Sequence, residues 1–291
     1  MGASSADRLR KLLHGDEIIV MPCCFDPLSA KLIEQEDFPL TFMSGFATSA
    51  ARLGMPDTGL MSYGEVIDQG RNICDAVGIP VIGDGDTGYG NALNIKRTVK
   101  GFAKAGFAAV MIEDQVAPKR CGHTAGKSVV TRAEAFDRIR AAVDARKEGA
   151  DILILARTDA RHDHGLDEAI ARAKEFYALG ADILFVEAPR NAEEMQRICT
   201  ELPGPKMANI IEGGLTPNLS PAELQQLGFK IAAYPITLIS AAMKAMSAAL
   251  GELKTGGVPA ERLLPFEEVK SRIGFDDYFE AEKQYEAKLG D

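Results

Sequence analysis

Lys119, Arg120, Cys121, Gly122 and His123 stand together in the segment APKRCGHTAGKS. A cysteine flanked by two cations and a histidine has its thiol pKa lowered, and thiolate is the reactive form. The segment follows Val110-Met111-Ile112-Glu113-Asp114, an apolar run that ends in two acids. A strand that ends in carboxylates and opens into a basic, cysteine-bearing loop suits a catalytic loop beside a metal. The bland alternative is a solvated basic loop with an incidental cysteine.

Further acids stand at the ends of other apolar runs. Asp84 and Asp86 close IPVIGDGD, Arg157 and Asp159 close DILILARTD, and Glu187 closes DILFVEA. Asn209 and Glu212 lie in KMANIIEG, and Ser44-Gly45 end LTFMSG. Charges buried at one mouth are costly unless they are paired or bound to metal. Asp84, Asp86 and Glu113 are hard oxygen ligands with no His or Cys on their own strands, which favours Mg²⁺, with Mn²⁺ as a substitute, over zinc. Asp86 is the expected direct ligand. Asp57, in LGMPDTG, could hold a metal-bound water or be a plain Pro-Asp turn. Arg157 is a natural fork for a substrate carboxylate, the alternative being a structural ion pair to Glu187 or Asp159. The N–H groups of Gly45 and Phe46 could bind a second carboxylate, and Asn209 offers its amide to that same anion. His123 is either an acid–base group or an orienter of the loop and Cys121.

Gly83-Asp84-Gly85-Asp86-Thr87-Gly88 matches GxGxxG after a strand. Two aspartates would oppose a pyrophosphate there, because such loops present backbone N–H groups to anions. Its glycines are read instead as room for a metal-bound substrate.

These residues need a frame. Strand-like runs fall at 17–23, 40–45, 79–86, 108–114, 151–159, 182–188, 206–213 and 230–236. Most are separated by amphipathic segments such as GEVIDQGRNICDAVG and LDEAIARAKEFYALG, with apolar residues at i, i+3, i+4 and i+7. Several end at glycine, the helix stop signal. Eight β runs alternating with helices predict a (β/α)8 TIM-type barrel, with a doubly wound sheet second. The expectation is one barrel domain over 1–291, with 238–291 as a C-terminal helical extension that packs on a neighbouring subunit. A barrel enzyme builds its site at the carboxyl ends of its strands, where the polar residues above lie.

Bulk properties exclude other classes. The chain has 291 residues, 46% hydrophobic, and a net charge of −9. That argues against nucleic acid or an anionic membrane as partner, since both need a basic footprint. No apolar run approaches a spanning helix, and the start lacks a secretory h-region. Five cysteines, two of them adjacent, make no disulfide framework. Cys74 and Cys199 read as buried small hydrophobes. A cytoplasmic or organellar matrix setting is expected.

The chain resembles the isocitrate lyase / phosphoenolpyruvate mutase superfamily. The matching pieces are MSGFATSAARLGMPDTG (43–59), GDGDTGYGNALNIKRTVK (83–100), IEDQVAPKRCGH with Gly126-Lys127, ARTDAR (156–161), FVEAP (185–189), NIIEGGLTP (209–217) and YPIT (234–237). The resemblance implies a barrel whose last helix is swapped between subunits, usually in a homotetramer. It implies Mg²⁺ and a loop that closes over an α-oxo or 2-hydroxy carboxylate. Thr237, in YPIT, joins the substrate-binding set on that ground. KxCGH marks the carbon–carbon lyase branch, although the carboxyphosphonoenolpyruvate mutase subgroup keeps it too. Phe46 and Glu212-Gly213-Gly214 resemble the dimethylmalate lyase and oxaloacetate hydrolase group rather than the SGGG and NxxEFG of methylisocitrate lyases. Phe42 stands where many lyases of the family have tyrosine. The implied activity is Mg²⁺-dependent cleavage of a 2-hydroxy di- or tricarboxylate, dimethylmalate- or methylisocitrate-like, to an α-oxo acid such as pyruvate. Cys121 would protonate the departing carbon, with Lys119 and Arg120 stabilising negative charge. Oxaloacetate hydrolysis or decarboxylation and phosphonate chemistry are the alternatives.

Overall fold

The computed structural model describes residues 2–120, 126, 128–257 and 260–285. Eight parallel strands run β1 (Ile19–Cys24), β2 (Thr41–Met43), β3 (Val81–Asp84), β4 (Ala109–Glu113), β5 (Leu153–Thr158), β6 (Ile183–Val186), β7 (Met207–Asn209) and β8 (Ile231–Tyr234). Their order is β6-β5-β4-β3-β2-β1-β8-β7. A parallel bridge from Leu184 to Lys206 joins β6 to the start of β7, so the sheet closes on itself. This is the (β/α)8 barrel expected, and closure excludes the doubly wound sheet.

The helices are α1 (Ser5–His14), α2 (Pro27–Gln35), α3 (Gly45–Leu53), α4 (Tyr63–Ala76), α5 (Ala92–Lys104), α6 (Arg132–Lys147) and α7 (Arg161–His164). They continue with α8 (Leu166–Leu179), α9 (Ala192–Glu201), α10 (Pro221–Leu227), α11 (Thr237–Lys254), α12 (Phe266–Ile273) and α13 (Phe275–Glu282). Caps set many of their starts. Asp26, Ser62, Asn91 and Ser220 each form a reciprocal capping box, which satisfies first-turn N–H groups. The sequence patterns above do not include α1 or α3, both opened by a serine N-cap.

Side chains alternate across each strand. Met21, Phe42, Ile82, Met111, Leu155, Phe185 and Ile231 fill the barrel interior, joined by Ala6 and Leu9 of α1. Their neighbours Met43, Val110, Ile112, Ile154, Leu184 and Ala232 pack outward against the helices. Cys74 and Cys199 are half-buried rather than fully buried, resting on that outer core. Burial raises both thiols, Cys199 to about 12, so neither is reactive at neutral pH.

The chain divides into two compact units at Leu238/Ile239. The second holds most of α11, a short 3-10 turn at Ala260–Arg262, α12 and α13. Its apolar side chains are conspicuously exposed, including Met243, Met246, Leu250, Phe266 and Tyr278. No helix among the described residues is long and apolar enough to cross a membrane.

Candidate active site

Alternation carries the inward rows of the strands past their apolar layers into polar residues. After Phe42 comes Ser44, after Ile82 Asp84, after Met111 Glu113, after Leu155 Arg157, after Phe185 Glu187 and after Met207 Asn209. Asp114 has the opposite parity and faces outward. Its carboxylate accepts from Thr158 Oγ1 at 2.7 Å, Arg172 Nη1 of α8 at 3.0 Å and the Asp159 N–H at 2.9 Å. Asp114 therefore does not face the mouth with Glu113. It braces the end of β5 from behind.

The strands are also shorter than the sequence patterns. Asp86, Glu187 and Glu212 lie beyond β3, β6 and β7, in loops. The Asp84 carboxylate accepts the Asp86 N–H at 3.0 Å, a local turn in which Asp86 adopts φ +48°. The nearby glycines make room for protein rather than ligand, which corrects the reading of GxGxxG. A Cβ on Gly83 would lie 2.6 Å from the Phe102 ring, and one on Gly85 2.6 Å from the Met111 carbonyl oxygen.

Lys119 reaches into the barrel mouth and is 6% exposed. Its Nζ lies 2.5 Å from Asp57 Oδ2 and 2.9 Å from Asp86 Oδ1. Burial alone would favour the neutral amine, but Asp86, Asp84, Asp57 and Glu113 more than reverse this and hold the ammonium charged. Asp86 is raised to about 7 by burial, Lys119 opposing and its acidic neighbours adding to the rise. Asp57 is thus a buried member of the cluster and not a plain exposed turn.

Arg157 makes a bidentate pair with Asp159, Nε to Oδ2 at 2.8 Å and Nη2 to Oδ1 at 3.0 Å. It also meets Glu113 at 3.2 Å and Glu187 at 3.3 Å. Both readings of this arginine therefore have support. It is held by acids and it lines the cavity. Ser44 caps α3, accepting from the Ala47 N–H, and the unpaired first-turn N–H groups belong to Gly45 and Phe46. A helix N-terminus facing a cavity is an anion site by charge and geometry.

These groups share a cavity of about 300 Å³, lined by Ser44, Gly45, Phe46, Asp57, Asp84, Lys119, Arg120, Arg157, Glu187 and Asn209. Thr237 does not line it. Its hydroxyl donates to Glu212 at 2.6 Å, and Glu212 is the residue at the wall. Cys121, His123 and Lys127 lie outside the described residues.

The same cavity is also lined by the apolar side chains of Cys23, Phe42, Met111, Phe185, Met207, Ile211, Pro235 and Ile236. Sequence reasoning named only Phe42 among these, as the residue standing where related lyases carry tyrosine, and missed the others as lining. The available signal was strand parity, which sets Phe42, Met111, Phe185 and Met207 one step below the polar layer.

Whether this site suits a metal can be judged from its donors. Among the described residues no three His, Cys, Asp or Glu side chains could cage an ion by themselves. Mg²⁺ needs no such cage, since it keeps several waters and uses one or two carboxylates. Glu113 Oε1 is buried with no hydrogen-bond partner among the described residues, and burial holds this carboxyl well above the ordinary range. An oxygen-only cluster with an orphaned carboxylate oxygen fits a hard hydrated cation.

Comparison with known proteins is consistent with this geometry. The chain is 41% identical over 285 residues to 2,3-dimethylmalate lyase of Eubacterium barkeri, covering 97% of this chain and 98% of that one. It is equally similar, 41% over 285 residues, to the chloroplastic carboxyvinyl-carboxyphosphonate phosphorylmutase of Arabidopsis thaliana, covering 96% and 84%. The solved structure of oxaloacetate acetylhydrolase in complex with 3,3-difluorooxalacetate superposes with a TM-score of 0.94 at 34% identity over 99% of both chains. The phosphoenolpyruvate phosphomutase family matches residues 9–254, which is most of the chain and all eight strands. The chain belongs to that family, within the PEP mutase/isocitrate lyase superfamily.

Proposed function

We propose that this protein is a Mg²⁺-dependent carbon–carbon lyase that cleaves a small 2-hydroxy dicarboxylate with apolar C3 substituents, such as 2,3-dimethylmalate, into pyruvate and a second carboxylate. The observation that carries this is a single cavity lined both by anion-binding groups and carboxylates and by apolar side chains.

Asp86, with Asp84, Asp57 and Glu113 through water, would hold Mg²⁺ or Mn²⁺. When bound, that ion supplies Lewis-acid stabilisation of negative charge at the C2 oxygen. Arg157 and the N–H groups of Gly45 and Phe46 hold the two carboxylates, with Asn209 beside them. The C2 hydroxyl proton passes into the carboxylate cluster as C2=O forms and the C2–C3 bond breaks. Cys121 gives its proton to C3, acting as general acid in cleavage and as base in synthesis. Lys119 and Arg120 stabilise the charge that develops, and His123 orients the segment around Cys121. The apolar lining suits methyl groups at C3.

Oxaloacetate hydrolysis is a second reading, supported by the similarity to oxaloacetate acetylhydrolase. A substrate screen separates the two. Pyruvate release from 2,3-dimethylmalate and 2-methylisocitrate is compared with conversion of oxaloacetate to acetate plus oxalate or to pyruvate plus CO₂, with and without EDTA. Metal-dependent pyruvate release, fastest with 2,3-dimethylmalate, is expected. Turnover of oxaloacetate or phosphonopyruvate alone would overturn the lyase reading.

We also propose a homotetramer in which the helices from Ile239 onward pack on a neighbouring copy. Their exposed Met243, Met246, Leu250 and Phe266 support this, because apolar patches of that kind mark association sites. Light scattering should give four times the 31.3 kDa chain mass. A monomer at micromolar concentration would contradict it.

A further inference from the structure

Gln115 is 1% exposed and is the second residue after β4. Its side chain makes two hydrogen bonds to one backbone unit. Oε1 accepts the Arg120 N–H at 2.9 Å, and Nε2 donates to the Arg120 carbonyl at 2.9 Å. The side-chain amide thus pairs with the main chain of Arg120 as a strand neighbour would.

The base of this contact is rigidly tied. Gln115 bridges Val129 in antiparallel fashion, the Val116 N–H donates to Ser128 O at 2.8 Å, and the Val130 N–H donates to Asp114 O at 2.9 Å. Arg138 of α6 donates to the carbonyls of Glu113 at 3.0 Å and Gln115 at 2.8 Å. One residue before Arg120, the Lys119 ammonium is anchored on Asp57 and Asp86. Two adjacent residues are therefore fixed by independent means, Lys119 through its side chain and Arg120 through its backbone. The next residue in the chain is Cys121.

We propose that Gln115 is a positioning residue, whose amide grips the Arg120 backbone and so fixes the chain at the residue that precedes Cys121. The grip needs a donor and an acceptor on one planar group. Methionine has similar length and supplies neither. Glutamate keeps the acceptor but cannot donate to the Arg120 carbonyl when ionised. The catalytic consequence rests on the lyase reading above, whereas the grip itself does not.

The test uses Gln115→Met and Gln115→Glu in the full-length protein. The first readout is independent of activity: the rate of trypsin cleavage after Arg120, mapped by mass spectrometry. Cleavage after the exposed Arg262 and Lys283 serves as internal reference. Two lost hydrogen bonds should speed cleavage after Arg120 about tenfold in Gln115→Met, and less in Gln115→Glu, with the reference sites unchanged. The second readout is kinetic, on whichever substrate the screen identifies. A fall in kcat of about tenfold with KM within about twofold is expected, because positioning of the proton donor is lost rather than substrate binding. Unchanged cleavage after Arg120 overturns the proposal. So does a parallel rise at all three sites, which would mean general loosening. Faster cleavage with no change in kcat would leave the grip standing and remove its catalytic role. Should Cys121→Ser prove fully active while Gln115→Met still speeds cleavage, the lyase mechanism fails and the grip does not.

Discussion

Asp86→Asn is expected to abolish turnover while making the metal-free protein more stable at pH 8. The mouth holds Asp57, Asp84, Asp86, Glu113, Asp159 and Glu187 against Lys119, Arg120 and Arg157, so negative charge is in excess. Without a divalent ion that excess opposes folding. Burial raises Asp86 from 3.8 to about 7, and Asp84 and Asp57 add to the rise while Lys119 opposes it. The folded state therefore keeps a proton that the unfolded chain loses from about pH 4. Stability from that proton is full below about pH 4 and is lost as pH climbs through about 7. Asparagine has no such loss. In excess chelator the variant should melt a few degrees higher at pH 8, at roughly 1.6 °C per kcal/mol, and no higher at pH 4. Turnover should fall on the order of 10³-fold, since the variant loses the ligand expected to hold the charge-stabilising ion. Calorimetric titration should show Mg²⁺ binding weakened by more than about tenfold. A lower melting temperature at pH 8 would mean that the Lys119–Asp86 pair is net stabilising. Unchanged Mg²⁺ affinity would remove Asp86 from the metal site.

Cys121→Ser should separate binding from chemistry. Serine is nearly isosteric, but its hydroxyl is a far weaker acid than a thiol flanked by Lys119, Arg120 and His123. Binding of Mg²⁺ and of oxalate, a small dicarboxylate probe, should remain within about threefold of the parent, because these bind through other groups. The kcat should drop by ~10²- to 10⁴-fold, the range of general acid–base catalysis. The drop should appear in kcat and kcat/KM together, as for an interaction made only in the transition state. Near-normal turnover would eliminate Cys121 as the proton donor. Loss of oxalate binding would show that the residue serves the pocket rather than the reaction.

Both variants test residues named from the sequence. Cys121, Lys119 and the acids at strand ends were legible from residue type and spacing, as were the eight β runs. The period of two in β4 and β5 also contained the answer for Asp114, since 109, 111 and 113 face one side and 110, 112 and 114 the other. That parity was not applied, so Asp114 was placed at the mouth with Glu113. It faces Arg172 because successive side chains on a strand cannot share a face.

Other features depended on contacts between residues far apart in the chain, which spacing does not encode. Lys119 meets Asp57 across 62 positions, and Arg172 meets Asp114 across 58. The same holds for the glycines of Gly83–Gly88, whose need for space comes from Phe102 and the Met111 carbonyl rather than from a ligand. Residue chemistry and periodicity were thus enough to identify the barrel and the acids gathered at its mouth, because these are local properties of the chain. The partner of each charge and the mixed lining of the cavity arise only when barrel closure brings those groups together, whereas the grip of Gln115 on Arg120 spans five positions and is set by the path of the chain after β4.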